Sequence, residues 1–429
     1  MGRAKTKEEC RKYIIEQAKN FLCRKQTIYV LGKNQKDVDY IYSLLITSSL
    51  RHCKFLKGGG GNNFLKNLDM AQIMLLQGHI SGILFADRSG LNTFEKNLRI
   101  ETCLERCFEV PYYFYNLTKR EALDRVIECF SPMNMGGRIN LIQFDITDKC
   151  NLNCALCSHF SPLVKNENRY SIKQFISDVG RLQELTEHIE SIGLWGGETL
   201  LHPELDRIID ICREAFPESG IEVGTNGILI PSISDEILNA IQRNNCSVRI
   251  SGYPPTMKIL DKIEKRLEEK EIRYSVVPID RFFKRYELPG IYDIKERHAG
   301  CGSKVCHVVK DGTYSSCYVP YGTQVFNLYF GKKFDVNDSI YGLDDELLDM
   351  ISFTEKIKGV LDICRYCGDI EMHPWKTVGE DKDDISSWIR INDEYNIESD
   401  HDRISCNTDN DSKKGCIGKL FSIFDCRIK

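Results

Sequence analysis

The 429-residue chain has room for about three domains of ordinary size, each able to bury its own core. Its composition, with 42% hydrophobic and 28% charged residues, is that of a folded globular protein and excludes a fibrous or disordered one. A net charge of -4 provides no basic field for nucleic acid, and no stretch has the roughly 18 apolar residues of a membrane span. Since the N-terminus also lacks a signal-peptide pattern, we expect a cytoplasmic protein without nucleic-acid or membrane partners.

The first 135 residues predict a small α/β domain. A helical pattern covers 7–23, and the segments TIYVLG (27–32), GILFAD (82–87) and PYYFYN (111–116) predict strands followed by helix-like sequence. This alternation is typical of a Rossmann-like domain, which we predict over 1–135. The turn after the first strand, GKNQKD, has one glycine where dinucleotide binding needs three, which argues against NAD binding.

Regular alternation of strands and helices continues through a second domain, predicted over 138–295. Its strands are predicted at 141–147, 191–195, 221–225, 247–251 and 272–278. Such alternation produces parallel strands with right-handed crossovers, in either an open sheet or a curved, partly closed barrel, and we predict a partial (β/α)6 TIM-like barrel. In such folds the chemistry lies at the C-terminal ends of the strands, and the first predicted strand leads directly into DKCNLNCALCSHF.

The alternation stops after the barrel. The segment VCHVVKDGTYSSCYV predicts two short strands joined at Asp311 and Gly312, within a small cysteine-rich α+β domain predicted over 296–380. The remaining residues, 381–429, are charged and then polar, which predicts a tail that is partly disordered.

Nineteen cysteines in a long chain without a secretion signal favour metal or redox chemistry over disulfides. Cys150, Cys154 and Cys157 share one loop, which suits an iron-sulfur cluster or a zinc site with a distant fourth ligand. His159 is the only local candidate for that fourth ligand and lies awkwardly close to Cys157. Spacing alone therefore favours iron-sulfur.

The spacing Cys150-x3-Cys154-x2-Cys157 after the first barrel strand resembles the signature of the radical S-adenosylmethionine (radical SAM) enzymes. Three further segments resemble family elements at the expected strand ends: GLWGGET at 193–199, GTNG at 224–227, and Ser251. The resemblance covers roughly 138–290. Thr199 stands where the family usually has proline, and Leu156 stands where it usually has an aromatic residue near the adenine.

The resemblance implies that Cys150, Cys154 and Cys157 hold a four-iron, four-sulfur (4Fe-4S) cluster with one open iron site, which S-adenosylmethionine chelates. It also implies a set of residues that contact this cofactor: Leu156, Gly196, Gly197, Glu198, Thr225, Asn226 and Ser251. An electron from a flavodoxin- or ferredoxin-type donor would then cleave S-adenosylmethionine reductively. The resulting 5'-deoxyadenosyl radical would abstract a hydrogen atom from a substrate.

The downstream pattern Cys301-x10-Gly312-x4-Cys317 with Cys364-x2-Cys367 resembles the Twitch domain, the shortened form of the SPASM extension. This resemblance implies one auxiliary 4Fe-4S cluster, because His373 stands where the full SPASM pattern has its next cysteine. Cys306 competes with Cys301 for the first ligand position. A structural zinc site, with His307 as a further ligand, is the alternative.

The second cluster and a nearby thiol predict different reactions. An auxiliary cluster that accepts an electron makes the net reaction an oxidation, whereas a thiol that returns a hydrogen atom makes it an epimerisation. Cys306, if it is not a ligand, is our first candidate for that thiol, and Cys246, which precedes a barrel strand, is the second.

The Rossmann-like N-terminal region resembles domains attached to sugar-nucleotide and glycan-pathway enzymes. We therefore expect the substrate to be a hydroxyl-bearing small molecule such as a sugar, a sugar-nucleotide or a cyclitol. The alternatives are a ribosomal-peptide maturase of the SPASM/Twitch type and, outside enzymes, an iron-sulfur carrier or scaffold.

Overall fold

Three β-sheets organise the described part of the chain. The computed structural model describes residues 3–50, 52–58, 63–87, 107–110, 115–133 and 135–392. Their strands are β1 (Thr27–Leu31), β2 (Lys54–Lys57), β3 (Gly82–Phe85), β4 (Cys107–Glu109), β5 (Ser131–Pro132), β6 (Arg138–Asp145), β7 (His188–Trp195), β8 (Gly220–Thr225), β9 (Ser247–Gly252), β10 (Arg273–Pro278), β11 (Arg281–Leu288), β12 (His307–Lys310), β13 (Thr313–Ser315), β14 (Tyr341–Gly342), β15 (Cys367–Pro374) and β16 (Arg390–Ile391).

The α-helices of the described residues lie between these strands or precede them. They are α1 (Lys7–Leu22), α2 (Gln35–Thr47), α3 (Phe64–Leu76), α4 (Lys119–Asp124), α5 (Ile172–Leu185), α6 (Leu205–Ala215), α7 (Asp235–Arg243), α8 (Pro254–Met257), α9 (Leu260–Glu269), α10 (Ile294–Ala299), α11 (Val319–Phe330) and α12 (Met350–Ile357). Across the described ranges, no helix is both long enough and apolar enough to cross a bilayer.

The N-terminal sheet has the strand order β2-β1-β3-β4-β5, in which the first four strands are parallel and β5 is antiparallel. Helix α1 begins at a capping box in which Thr6 and Glu9 exchange hydrogen bonds, and α2 begins where the Asn34 side chain accepts from the Lys36 N–H. The parallel α/β prediction is confirmed. Of the strand predicted at 111–116, residues 111–114 lie outside the described ranges.

The central sheet has the order β10-β9-β8-β7-β6-β12-β13-β14, and the first six of these strands run parallel. Its helices bury apolar stripes with helical spacing; α6, for example, buries Leu205, Ile208, Ile209 and Cys212. The mixed α/β fold is therefore as predicted. Five parallel strands come from the predicted barrel segment, whereas the sixth, β12, comes from the hairpin beyond it, and the described sheet does not close.

The predicted hairpin is confirmed, because β12 and β13 pair antiparallel on either side of Asp311 and Gly312. Both turn residues have positive φ, 44° and 78°, which a two-residue hairpin turn of the primed type requires. Strand β12 also pairs with β6, so the hairpin extends the central sheet.

The third sheet has the order β15-β11-β16 and covers a separate apolar core that includes Phe160, Phe326 and Trp388. Trp388 is only 2% exposed, and β16 pairs with β11. Residues 381–392, which the sequence assigned to a tail, therefore pack against this core. The rest of that predicted tail lies outside the described residues.

Candidate active site between two cysteine groups

The three-cysteine loop leaves the C-terminal end of β6, as predicted for the functional edge of a parallel sheet. Burial, together with the charges of neighbouring cysteines, raises the pKa of the Cys150 and Cys154 thiols to about 12. The three sulfurs therefore lie within electrostatic range of one another. Ionised thiols at these positions would need cationic partners, which the irons of a cluster would provide.

The Cys157 thiol has a different environment. Burial raises its pKa, but a hydrogen bond with His159 and the charge of that imidazole outweigh burial and leave the pKa below its ordinary value. The His159 ring in turn stacks on Tyr318, with the ring centroids 5.1 Å apart and the planes 23° apart. Cys157 is thus the thiol of the loop that is most easily ionised.

The segment Gly196-Gly197-Glu198 packs directly against the start of the cysteine loop. Gly197 N–H donates to the Thr147 carbonyl and Glu198 N–H to the Lys149 carbonyl, both at 2.7 Å. A Cβ on Gly197 would lie 2.3 Å from the Lys149 carbonyl oxygen. The sequence analysis predicted that these glycines contact the cofactor. In the structure, their backbone is in close contact with the cysteine loop.

Glu198 joins this segment to the end of β8. Its carboxylate is 1% exposed and accepts hydrogen bonds from Thr225 Oγ1 (2.6 Å), Asn226 N–H (2.8 Å) and Leu200 N–H (3.1 Å). Burial raises its pKa despite these donors. Asn226 then reaches the cysteine loop, because its Nδ2 donates to Asn151 Oδ1 at 2.6 Å and lies 4.0 Å from Cys150 Sγ.

Aromatic side chains that the sequence analysis missed cover the loop. Tyr253 hydrogen-bonds Ser251, and its pKa is raised by burial and by the charges of Cys157, Cys154 and Cys150. Its ring stacks on Phe282 and Trp375, at 5.6 Å and 6.5 Å between centroids. Leu156, the predicted adenine contact, has a φ of 59°, so the loop turns sharply there. No pattern of residue spacing along the sequence predicts the contacts of Tyr253 and Trp375.

The second group gathers the predicted auxiliary cysteines. Burial raises the pKa of Cys317, and the charges of Cys367, Cys301 and Cys364 raise it further. Burial likewise raises the pKa of Cys367 to about 12. Cys301 thus lies near the other three cysteines. Cys306 lines a neighbouring cavity.

The predicted metal residues form groups without converging on a single point. Among the described residues, no three His, Cys, Asp or Glu side chains are close enough together to hold a single metal ion. Cysteine thiolates are the ligands that iron-sulfur clusters use, so the chemistry of both donor sets fits such clusters.

A cavity of about 170 Å³ lies between the two cysteine groups. It is lined by Gln143, Asp145, His159, Trp195, Cys306, Val308 and Tyr318. His159 connects it to Cys157, and Tyr318 connects it to the adjacent Cys317. Asp145 Oδ2 accepts from Lys310 Nζ at 3.0 Å, while its buried Oδ1 has no hydrogen-bond partner within the described part of the chain.

Cys246, the second predicted hydrogen donor, does not lie in this cavity. It precedes β9 at the end of the sheet opposite the cysteine loop, is 2% exposed and belongs to the main apolar core. Burial raises the pKa of its thiol to about 11. The structure thus places Cys246 in the core and not among the residues that line the cavity.

Comparison with known proteins gives partial matches. No protein-family model matches the chain. The GTP 3',8-cyclase of Clostridium acetobutylicum is 27% identical over 158 residues, covering 34% of this chain and 49% of that protein. The GTP 3',8-cyclase of Campylobacter jejuni is 27% identical over 145 residues, covering 33% of this chain and 42% of that protein. The chain thus spans about half the length of the curated relatives it matches.

Solved structures give weaker likenesses. BtrN in complex with AdoMet and 2-DOIA is 14% identical with a TM-score of 0.35, covering 54% of this chain and 93% of that one. Streptococcus suis SuiB bound to the precursor peptide SuiA is 11% identical with a TM-score of 0.30, covering 73% of this chain and 80% of that one. The sequence matches and the ordered motifs support the resemblance of this chain to the radical SAM superfamily, whose members use S-adenosylmethionine and a 4Fe-4S cluster.

Proposed function

We propose that the chain is a radical SAM enzyme that abstracts a hydrogen atom from a hydroxyl-bearing small molecule, such as a sugar, a sugar-nucleotide or a cyclitol. The cavity between the two cysteine groups carries this proposal. An engineered cavity of about 150 Å³ binds benzene, so a cavity of about 170 Å³ has room for about one six-membered ring. The unpartnered Oδ1 of Asp145 in its wall suits a hydroxyl donor.

The donor sets on both sides of the cavity fit iron-sulfur clusters. Cys150, Cys154 and Cys157 would hold the first cluster, while Cys301, Cys317, Cys364 and Cys367 would hold a second one, as in a Twitch or SPASM-like domain. When bound, the first cluster supplies the electron that cleaves S-adenosylmethionine to a hydrogen-abstracting radical, and the second supplies an electron acceptor.

The remaining predicted cofactor residues would hold S-adenosylmethionine beside the first cysteine group. Glu198 fixes the ends of β7 and β8 relative to each other, and Asn226 and Ser251 lie on the same edge of the sheet. Tyr253 and Trp375 cover this edge with aromatic rings, which would exclude water from the reacting groups. The proposed domains are 1–135, 138–295 and 296–380.

Cys306 would decide the outcome of the reaction. Its thiol lines the cavity, where it would return a hydrogen atom to the opposite face of a substrate radical and so produce an epimer. The resulting thiyl radical would regain one electron from a flavodoxin- or ferredoxin-type donor and one proton from solvent. If Cys306 does not react in this way, loss of one electron and one proton from the substrate gives an oxidation.

A peptide maturase is the second candidate, because one amino-acid side chain would also fit in the cavity. The N-terminal region favours the small molecule. Its described residues form a mostly parallel five-stranded sheet with flanking helices, whereas peptide maturases often carry a winged-helix domain for the leader peptide.

The first test is the iron content of the anaerobically reconstituted full chain, beside a variant with Cys150→Ala, Cys154→Ala and Cys157→Ala. We expect about eight irons per chain, falling to about four in the variant. We also expect the wild type, reduced with dithionite, to cleave S-adenosylmethionine to 5'-deoxyadenosine and the variant not to do so.

Each failure identifies a different alternative. Equal iron content in both proteins would refute the assignment of the first loop. About four irons falling to none, with zinc retained, would make the second group structural. Full loading without cleavage of S-adenosylmethionine would favour the iron-sulfur carrier. Deuterium transfer to 5'-deoxyadenosine from a labelled peptide, and not from labelled sugars, would favour the maturase.

A further inference from the structure

Strand β15 connects the two cysteine groups. It begins at Cys367 and ends at Pro374, and it pairs antiparallel with β11 along its length. The residues that follow it, 375–378, lie along residues 153–155 of the cysteine loop. Ala155 N–H donates to the Lys376 carbonyl at 2.9 Å, and Val378 N–H donates to the Asn153 carbonyl at 2.7 Å. This loop is thus held by chain that continues directly from the second group.

Trp375 makes a polar contact with a cysteine at this junction. Its indole Nε1–H donates to Cys154 Sγ at 3.2 Å. The backbone N–H of Trp375 donates to the Asp280 carbonyl at 2.7 Å, and its ring stacks on Tyr253. Because Cys154 is only 6% exposed, water does not compete effectively for its sulfur. The N–H···S bond is therefore fixed in direction and shielded from water.

A hydrogen bond to a ligand sulfur changes the redox behaviour of an iron-sulfur cluster. Reduction adds one negative charge, which is spread over the irons and sulfurs. A donor N–H stabilises that charge more strongly in the reduced state than in the oxidised state, so the reduction potential rises. The effect is larger where the surroundings are buried, because the local dielectric constant is low.

We propose that Trp375 is a positioning residue that raises the reduction potential of the cluster held by Cys150, Cys154 and Cys157. This inference rests on the proposed function, since it needs that cluster. It gives β15 a second role, because the strand that starts at a ligand of one cysteine group delivers a hydrogen bond to a ligand of the other. The reduction potential of this cluster then depends on the position of the third sheet, because β15 of that sheet leads directly into Trp375.

The test is a redox titration, monitored by electron paramagnetic resonance, of the full chain reconstituted with iron and sulfide. The signal of the first cluster is identified by its change when S-adenosylmethionine is added. Trp375→Phe keeps an aromatic ring against Tyr253 and removes the N–H, so we expect its midpoint potential to shift to more negative values. The signal that does not respond to S-adenosylmethionine should not shift.

Trp388→Phe is the matched control. Trp388 is also buried, but its indole N–H donates to the Lys382 carbonyl at 3.0 Å rather than to a cysteine, so its removal should leave the first midpoint unchanged. An unchanged midpoint in Trp375→Phe would overturn the inference, and so would an equal shift in both variants. Only molecules that contain the cluster give the signal, so a lower cluster content in a variant does not change its measured midpoint potential. A wild type without any signal that responds to S-adenosylmethionine would overturn the proposed function itself.

Discussion

Glu198 is the residue at which three segments of the candidate site meet. It accepts hydrogen bonds from Leu200 on its own segment and from Thr225 and Asn226 at the end of β8, while its backbone N–H donates to Lys149 in the cysteine loop. These contacts explain physically why the sequence needs an acidic residue there, since a neutral amide would place its NH2 against other donors.

His202, four residues further on, makes the stability of this region dependent on pH. The ring is 1% exposed; its Nε2 lies 3.0 Å from the Tyr170 carbonyl, and its Nδ1 accepts from Glu204 N–H. Burial lowers its pKa, and the Tyr170 carbonyl opposes that effect only in part. The neutral ring therefore contributes stability that is present above the ordinary histidine pKa of about 6.5 and is lost as the pH falls through the lowered value.

We expect His202→Gln to lower the free energy of unfolding at pH 8 by about 1–3 kcal/mol, because buried partners lose hydrogen bonds. The deficit should shrink at pH 5.5, where the wild type has lost part of the contribution of the neutral ring. Urea unfolding of the apo protein at both pH values measures this difference. His79→Gln, at an exposed position, should show no such dependence. A deficit for His202→Gln that is the same at both pH values would contradict the linkage.

Local spacing determines which parts of the site the sequence can reveal. Cys150, Cys154 and Cys157 could be predicted because they share one loop, and Glu198 because it lies in a short ordered motif. The contact between Trp375 and Cys154 spans 221 residues, so no local pattern reports it. The place of Cys246 before a strand does not predict that its side chain lies in the main apolar core rather than at the cavity.

At the scale of elements, Lys310 joins β12 to β6. Its ammonium group is 13% exposed and bonds both Asp145, at the end of β6, and Asp148, in the following loop. Burial alone would lower the pKa of Lys310, but the charges of the two carboxylates outweigh it and raise the pKa. Lys310 thus ties Asp145, in the wall of the cavity, to Asp148 of the cysteine loop.

Lys310→Met should destabilise the protein by about 3–5 kcal/mol, because it leaves two buried carboxylates without their cation. Urea unfolding at pH 7 measures this loss. The variant should regain stability when Asp145→Asn and Asp148→Asn are added, since no unpaired charge then remains. Lack of recovery in the triple variant would show that Lys310 stabilises the fold through packing rather than charge.

The hairpin that carries Lys310 shows both the success and the limit of pattern analysis for an element. Asp311 and Gly312 predict the turn correctly, because a primed turn needs positive φ at both positions. Nothing in the pattern indicates that β12 also pairs with β6, since strand partners distant along the chain are selected by tertiary packing.

At the scale of the whole molecule, the barrel segment and the cysteine-rich segment that follows it depend on each other. Strand β12 completes the parallel part of the central sheet, and residues 375–378 pair with the cysteine loop. The alternation of strands and helices predicts the five parallel strands well, because each is defined by local periodicity. It does not predict that a strand from outside the barrel segment, β12, completes the parallel sheet.

A chain that ends after Gly300 should therefore fail to form a stable central sheet. It would expose the edge of β6 and remove Trp375, so we expect it to aggregate on size-exclusion chromatography and to bind much less iron than the full chain. A chain that ends after Asn392 keeps every described contact and serves as the control. A monodisperse, iron-loaded fragment 1–300 would show that the barrel segment folds without its later partners.

The pairing of β6 with β12 also has a consequence for biosynthesis. Lys310 in β12 follows Asp145 in β6 by 165 residues. At ordinary rates of translation, β12 is therefore synthesised on the order of ten seconds after β6, and the edge of β6 stays unpaired during that time. Trp375 emerges still later, 221 residues after Cys154. The cysteine loop therefore leaves the ribosome long before the segment that covers it, which gives the cell a period in which iron and sulfide can reach the three thiols before the site closes.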